Sequence, residues 1–240
     1  MKRFQSLILI SILFLAISYS VEAKNLTADK VMENVVKAFE PVQDFTVNIE
    51  AEVQMEGIQV PHMKALLYFK KPDKIHFSSQ QFLMVPREGI VINPEQLRNN
   101  YDAVIVQEEK PDHPDWIKLQ LAASKASVRV RQMSIWVDPA NWAIVKMETV
   151  PYNGRTLSFN LTYALQNQKY WMPAKVIASF GMQTESTEEK NNAADMNMQP
   201  LSNERPRSTP RNGSVTITYS GYTINAGIDD AVFEKKEMSR

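Results

Sequence analysis

Residues 45–56 read FTVNIEAEVQME, and apolar or small side chains alternate with polar ones along the whole stretch. A period of two residues is the pattern of a β-strand that turns one face to a core and the other to water. The apolar series consists of Phe45, Val47, Ile49, Ala51, Val53 and Met55. This strand therefore requires an apolar cover on one of its faces.

An amphipathic helix is predicted directly before this strand, over about Ala28–Glu40. Thr27 is a suitable N-cap, and Pro41 ends the helix because proline cannot continue its hydrogen bonds. The apolar stripe of the helix consists of Val31, Val35, Ala38 and Phe39. The helix and the strand together predict an α+β fold, mainly β, in which the helix packs on the concave side of a curved antiparallel sheet.

Further strands are predicted on both sides of an ambiguous middle region, residues 83–126. Alternation and turn signals predict strands at Val60–Lys71, Lys74–Phe82, Val128–Asp138, Trp142–Val150, Thr156–Leu165, Tyr170–Gly181 and Ser214–Asn225. In the middle region we expect short strands at Gly89–Asn93 and Ala103–Gln107, a helical turn at Pro94–Asn100 and a helix at Trp116–Ala126. Short turns between successive strands are typical of an antiparallel meander.

Composition and charge exclude several classes of function. The 240 residues carry 27 basic and 27 acidic side chains, whereas a nucleic-acid-binding protein would need a basic face. The chain has no cysteine and three histidines, His62, His76 and His113, none of them at metal-ligand spacing. A Gly-x-Ser-x-Gly turn for an activated serine is also missing from the sequence. We therefore expect no catalytic, metal or cofactor site, and hence no enzyme.

The first 23 residues are predicted to be a secretory signal peptide. Lys2 and Arg3 precede the apolar run 7–17, and Val21-Glu22-Ala23 is a typical cleavage site. Cleavage after Ala23 predicts an exported, soluble periplasmic protein.

Residues 24–240 are predicted to form a single domain that is interrupted by a disordered insertion at about 182–213. That segment lacks aromatic residues and is rich in Asn, Glu, Ser and Pro. It offers too little apolar surface to offset the entropy of ordering it.

The strand faces carry many large apolar side chains, which two interpretations explain. The first is a filled core. The second is a core left partly unfilled, in which the curved sheet encloses a groove for an apolar ligand. Composition alone does not separate them.

Four motifs, in order and spacing, carry a resemblance to a known family. They are Leu67–Ile75 (LYFKKPDKI), Trp136–Asp138 followed by Ile144–Glu148, Tyr170–Lys175, and Tyr222–Phe233. With the leading helix and strand, they make the chain resemble the bacterial lipoprotein-localisation carriers of the LolA/LolB type, the outer-membrane lipoprotein-sorting superfamily. The resemblance covers about residues 27–82, 127–181 and 214–234.

The resemblance implies a half-open antiparallel β-barrel with a helical lid over an apolar cavity for acyl chains. It implies a periplasmic carrier that moves lipoproteins, or another lipid, from an inner-membrane transporter toward an outer-membrane receptor. The receptor type is lipid-anchored through a cysteine, so this cysteine-free chain is similar to the soluble carrier type. On this basis the groove would be lined by Val47, Ile49, Val53, Leu67, Phe69, Phe77, Trp136 and Phe159.

An alternative function on the same scaffold is a regulatory binding protein that senses envelope stress. Co-purified lipid would favour the carrier, whereas a stable complex with a transmembrane regulator would favour the sensor. An exported hydrolase is disfavoured by the histidine and serine patterns.

Overall fold

The fold is described from a computed structural model. The described residues are 26–55, 58–59, 61–79, 90–108, 111–126, 128, 130–149, 156–180 and 213–234. The predicted signal peptide and residues 182–212 of the predicted insertion lie outside these ranges.

Strands form most of the described part of the chain. They are β1 (Asp44–Met55), β2 (Ile58–Gln59), β3 (Met63–Lys70), β4 (Lys74–Phe77), β5 (Tyr101–Ile105), β6 (Ile117–Ala123), β7 (Gln132–Asp138), β8 (Ala143–Thr149), β9 (Leu157–Gln166), β10 (Tyr170–Phe180) and β11 (Gly213–Ile224). The helices are α1 (Ala28–Phe39), α2 (Pro94–Asn100) and α3 (Ala231–Glu234).

All described strands belong to one antiparallel sheet. Its order is β4-β3-β1-β11-β10-β9-β8-β7-β6-β5, and β2 pairs with β1 beside this path. Among the described strands, β4 and β5 form the two ends, so the sheet is open and not closed into a barrel. The expected architecture, an open, curved, mainly antiparallel sheet with few helices, is confirmed.

The strand β1 lies at the centre of the sheet because it pairs on both sides. Val47 lies opposite Leu67 of β3, and Ile49 lies opposite Tyr219 of β11. These four side chains are buried, whereas Asn48, on the other face, is exposed. The alternation in residues 45–56 therefore separates an inner face, which the helices cover, from an outer face.

Helix α1 begins and packs as its sequence predicts. Thr27 is the N-cap, and its side-chain oxygen accepts a hydrogen bond from the Lys30 backbone N–H at 3.2 Å. Val31, Met32 and Val35 are buried in the same apolar core as the inner face of the sheet. The apolar stripe thus supplies the cover that β1 requires.

Two predictions for the middle region are wrong. Residues 117–123, predicted as part of a helix, form β6, because its buried side chains Leu119 and Leu121 follow a period of two. Residues 90–93, predicted as part of a strand, have no regular structure and lead into α2. The helical turn predicted at Pro94–Asn100 is confirmed as α2.

Candidate functional site

A cavity of about 310 Å³ lies between the two ends of the open sheet. One wall comes from β3, β4 and the turn between them, and the opposite wall comes from β5, β7, β8, Val128 and Val130. The lining residues are Phe69, Asp73, Ile75, Val91, Ile92, Asn93, Gln96, Leu97, Asn100, Tyr101, Val128, Val130, Met133, Met147 and Thr149. The described cavity therefore lies at the open side of the sheet.

Helix α2 and the residues before it form the roof of this cavity. Asn93 is the N-cap, and its side-chain oxygen accepts a hydrogen bond from the Glu95 backbone N–H at 3.1 Å. Pro94 occupies the first turn, where its missing N–H costs no helical hydrogen bond. The side chain of Leu97 lines the cavity, whereas Pro94 is the one buried residue of α2.

Lys71, in the turn between β3 and β4, ties the roof to the rest of the molecule. Its Nζ donates to Glu95 Oε1 of α2 at 2.8 Å and to the Glu40 carbonyl oxygen, which follows α1, at 3.2 Å. The ammonium also lies 5.6 Å from the centroid of the Phe39 ring. Its side chain is only 13 % exposed. One cation therefore joins a sheet turn to both helices.

A buried tyrosine anchors the start of the roof. The Tyr219 hydroxyl of β11 donates to the Ile90 carbonyl oxygen at 2.8 Å. Burial raises the pKa of Tyr219 far above its usual range, so the hydroxyl remains a neutral donor at physiological pH. Ile90 is itself 3 % exposed. The segment that leads into α2 therefore starts at a residue that is buried and held by a hydrogen bond.

A second and smaller cavity, of about 50 Å³, lies between α1 and strands β8–β10. Val35 and Phe39 of α1 line it, together with Leu161 and Tyr163 of β9. At its rim Trp171 is 45 % exposed, which is unusual for so large an apolar side chain. This cavity extends the apolar space on the inner face but is too small to hold an acyl chain by itself.

The walls of the larger cavity combine apolar side chains with a few polar ones, of which Asp73 is the one that carries a charge. Phe69, Ile75, Leu97, Met133 and Met147 give it an apolar character. Its polar lining consists of Asp73, Asn93, Gln96, Asn100, Tyr101 and Thr149. This combination is typical of a pocket in which apolar surface provides affinity and a few polar groups fix orientation.

The eight residues predicted to line a groove have different locations. Phe69 alone among them lines the described larger cavity. Val47, Ile49, Leu67 and Phe159 lie on the same inner face but are at most 1 % exposed within the packed core. Val53 and Phe77 are half-buried and pack against that core. Of these seven residues, Phe69 borders the described cavity and the other six lie in or against the packed core.

Trp136 does not belong to the groove, because it lies on the outer face. It is paired with Lys118 and Lys146, whose ammonium groups lie 4.7 and 4.3 Å from its ring centroid. Its Nε1 donates to Glu108 Oε2 at 3.0 Å, and hydrogen bonds from Lys118 and then from Trp136 lower the pKa of Glu108. Successive residues of a strand face opposite sides of the sheet. Because Ile135 faces inward, this alternation would have placed Trp136 on the outer face.

Sequence reasoning predicted the helical turn of α2 but not its place as the roof of a cavity. The signal for this turn is the short apolar run Ile90–Ile92 followed by Asn93-Pro94, an N-cap and first-turn pair that marks a helix start. Val130, Met147 and Thr149 of the cavity wall carried no signal of their own, because only the tertiary arrangement brings them to the open side.

The described residues lack two further types of site. They contain no group of three or more His, Cys, Asp or Glu side chains that could hold a metal ion. No helix among them is long and apolar enough to span a membrane.

Comparison with known proteins shows the fold. A LolA superfamily protein from Nitrosomonas europaea matches with a TM-score of 0.54 and 14% identity, over 88% of this chain and 98% of that one. A DUF1329 family protein from Desulfovibrio piger matches with a TM-score of 0.53 and 12% identity, over 87% and 97%. An outer membrane lipoprotein-sorting protein domain from Vibrio parahaemolyticus gives 0.49 and 12%, over 86% and 97%. No protein-family profile and no curated protein sequence matches the chain. The expected LolA-like fold is confirmed.

Proposed function

We propose that this chain, which has the LolA-like fold, is a periplasmic carrier that binds an acyl chain of a lipoprotein or another lipid. The observation that carries this proposal is the apolar cavity between the two ends of the sheet, roofed by α2. The acyl chain lies in this cavity during transport toward the outer membrane. The carrier receives it from an inner-membrane donor and passes it to an outer-membrane receptor.

The size of the cavity supports a ligand of this class. Its 310 Å³ correspond to about ten methylene groups, if each occupies about the 30 Å³ of a water molecule in the liquid. Burying a methylene stabilises a complex by about 0.8 kcal/mol, so about ten contribute roughly 8 kcal/mol before the cost of ordering the chain. That affinity is sufficient for capture and still permits release.

The roof supports reversible binding without a chemical step. Helix α2 has seven residues, of which Pro94 alone is buried, so displacing it exposes little apolar surface. Its tie through Lys71 and Glu95 is a partly exposed ion pair, which is typically worth about 1 kcal/mol or less. Such a roof can open at small cost when a donor or a receptor engages it.

The test is a matched pair of substitutions, with lipid measured by mass spectrometry of an organic extract. Val130 lines the cavity, and Val130→Trp should fill it, so the purified variant should carry several-fold less acyl lipid than the wild type. Val104, 59 % exposed on β5, provides the control Val104→Trp, which should carry as much lipid as the wild type. Circular dichroism should show both variants folded.

Two results would contradict the carrier. One is a Val130→Trp variant that is folded and carries as much lipid as the wild type. The other is wild-type protein, purified from its native cell envelope, that yields no acyl lipid and instead retains a membrane-bound regulator. The second result would favour the alternative function, a regulatory binding protein.

A further inference from the structure

The hydroxyl of Thr149 is a buried polar group with an unmade hydrogen bond. Among the described residues, Thr149 Oγ1 is the one buried side-chain oxygen or nitrogen without a hydrogen-bond partner. The residue is 1 % exposed. Asp44, the other buried polar side chain of the described residues, accepts from the Gly227 backbone N–H at 3.2 Å. Burying an unpaired hydroxyl destabilises a fold, so this exception requires an explanation.

Thr149 belongs to the wall of the larger cavity. It is the last residue of β8, where it lies opposite Met133 of β7 and Leu157 of β9 on the inner face. Thr149, Met133 and Met147 all line the cavity. Neighbouring atoms cover the hydroxyl itself, but methionine side chains are flexible and adapt to a ligand. For the hydroxyl to meet a ligand, the side chains around it, such as Met133 or Met147, have to move aside.

The charges around the cavity restrict which ligand could satisfy this hydroxyl. The lining includes the carboxylate of Asp73 and, among the described residues, no Lys, Arg or His. A fatty-acid carboxylate would therefore be buried without a cation and near a like charge, which is strongly unfavourable. A neutral carbonyl oxygen, in contrast, accepts a hydrogen bond from a hydroxyl without bringing in a charge.

We propose that Thr149 is a specificity-determining residue whose hydroxyl donates a hydrogen bond to the carbonyl oxygen of an ester- or amide-linked acyl chain. This inference rests on the proposed carrier function, since it assigns a polar partner to the acyl ligand in the cavity. A plain hydrocarbon leaves the hydroxyl unpaired, and a free fatty acid adds an unpaired charge. The site therefore selects linked acyl chains, as in lipids and acylated proteins, over free fatty acids.

The test compares three probes on the full chain: methyl decanoate, decanoate at pH 7, and tridecane, which has as many non-hydrogen atoms as the ester. Dissociation constants are measured by displacement of a fluorescent apolar dye. For each variant, the dissociation constant of tridecane is divided by the dissociation constant of methyl decanoate. The hydration free energy of each probe is the same for every variant, so it cancels when these ratios are compared. Thr149→Val, which keeps the shape and removes the hydroxyl, should lower this ratio about fivefold to tenfold.

Thr149→Ser is the matched control, because it keeps the hydroxyl and should keep the ratio within about twofold of the wild type. Thr149→Val should also melt at the same or a higher temperature, since it removes an unpaired buried group. Decanoate should bind the wild type at least about tenfold more weakly than its methyl ester.

The outcomes separate this inference from the carrier function. If the wild type binds the probes but Thr149→Val leaves the ratio unchanged, or if decanoate binds as tightly as its ester, the role of Thr149 is wrong and the carrier stands. If the wild type binds none of the three probes, the carrier function itself is wrong, and the role of Thr149 with it.

Discussion

The inner face of the sheet is filled beneath α1, apart from the small cavity against β8–β10, and hollow beneath α2. Val47, Ile49 and Leu67 are completely buried in a continuous core that includes Val31 and Val35 of α1. Beneath α2 the same face leaves a cavity of about 310 Å³. Helix α1 has 12 residues and buries three of them, whereas α2 has seven residues and buries one. One helix therefore holds the fold together, and the other covers a space that the fold leaves open.

The largest expected effect comes from placing a charge in the filled half. Ile49→Glu should destabilise the protein by several kcal/mol or prevent folding, because a carboxylate there has neither water nor a cation. Urea denaturation with circular dichroism measures this. Asn48→Glu, at the adjacent exposed position, is the control and should change stability by about 0.5 kcal/mol or less. A stable, soluble Ile49→Glu protein would mean that the groove reaches β1.

Two methionine-to-alanine substitutions, one in the filled core and one beside the cavity, test the difference between these two regions. Met172 is fully buried in the core, and Met172→Ala should cost about 2–5 kcal/mol of unfolding free energy. Met147 is also buried but already borders the cavity, so Met147→Ala loses fewer contacts and should cost about half as much. Urea titrations of both variants provide the values. Equal losses would show that the cavity wall packs as tightly as the core.

Removing the ion pair between Lys71 and Glu95 should have a smaller effect on stability, and one that is confined to the roof. Glu95→Gln removes the ion pair with Lys71 but leaves the contacts of Lys71 with Phe39 and Glu40, and it should destabilise the whole protein by about 1 kcal/mol or less. Amide hydrogen exchange should nevertheless become several-fold faster in α2 and remain unchanged in α1. Lys64→Met, which removes an exposed pair with Glu50 on the outer face, should change neither helix. Faster exchange in α1 as well would show that the two helices open together.

The smallest effect is expected from acid acting on α1. Hydrogen bonds from Lys37 and then Lys30 lower the pKa of Glu33 from 4.5 to about 2. Because the pKa in the folded state is the lower one, this stabilisation is present above about pH 4.5 and is lost as the pH falls toward 2. Glu33→Gln should therefore reduce the loss of stability across that window, slightly and less at high salt, because the carboxylate is exposed. Thermal melts at pH 5 and pH 2.5 check this, and identical pH dependence in both proteins would contradict it.

The filled half could be predicted from the sequence, and the hollow half could not. Residues 45–56 and helix α1 carry complete periodic patterns, because every position faces either the core or water. A cavity forms where side chains leave space between them in the folded protein, and amino-acid composition carries no information about that space. Thr149, for example, looks like an ordinary strand residue until the register places it beside Met133. The helical turn of α2 was also predictable, because Asn93 and Pro94 mark its start, but nothing in the sequence places it over a cavity.

The pairing of β1 with β11 determines when the sheet can be completed. Phe45 lies opposite Ile224, about 180 residues later along the chain. Until β11 has been synthesised, β1 can pair with β3 but must leave its other edge open. Contacts between such distant residues slow folding, because a long loop has to close first. The central strand thus delays assembly of the sheet until nearly the whole chain is present.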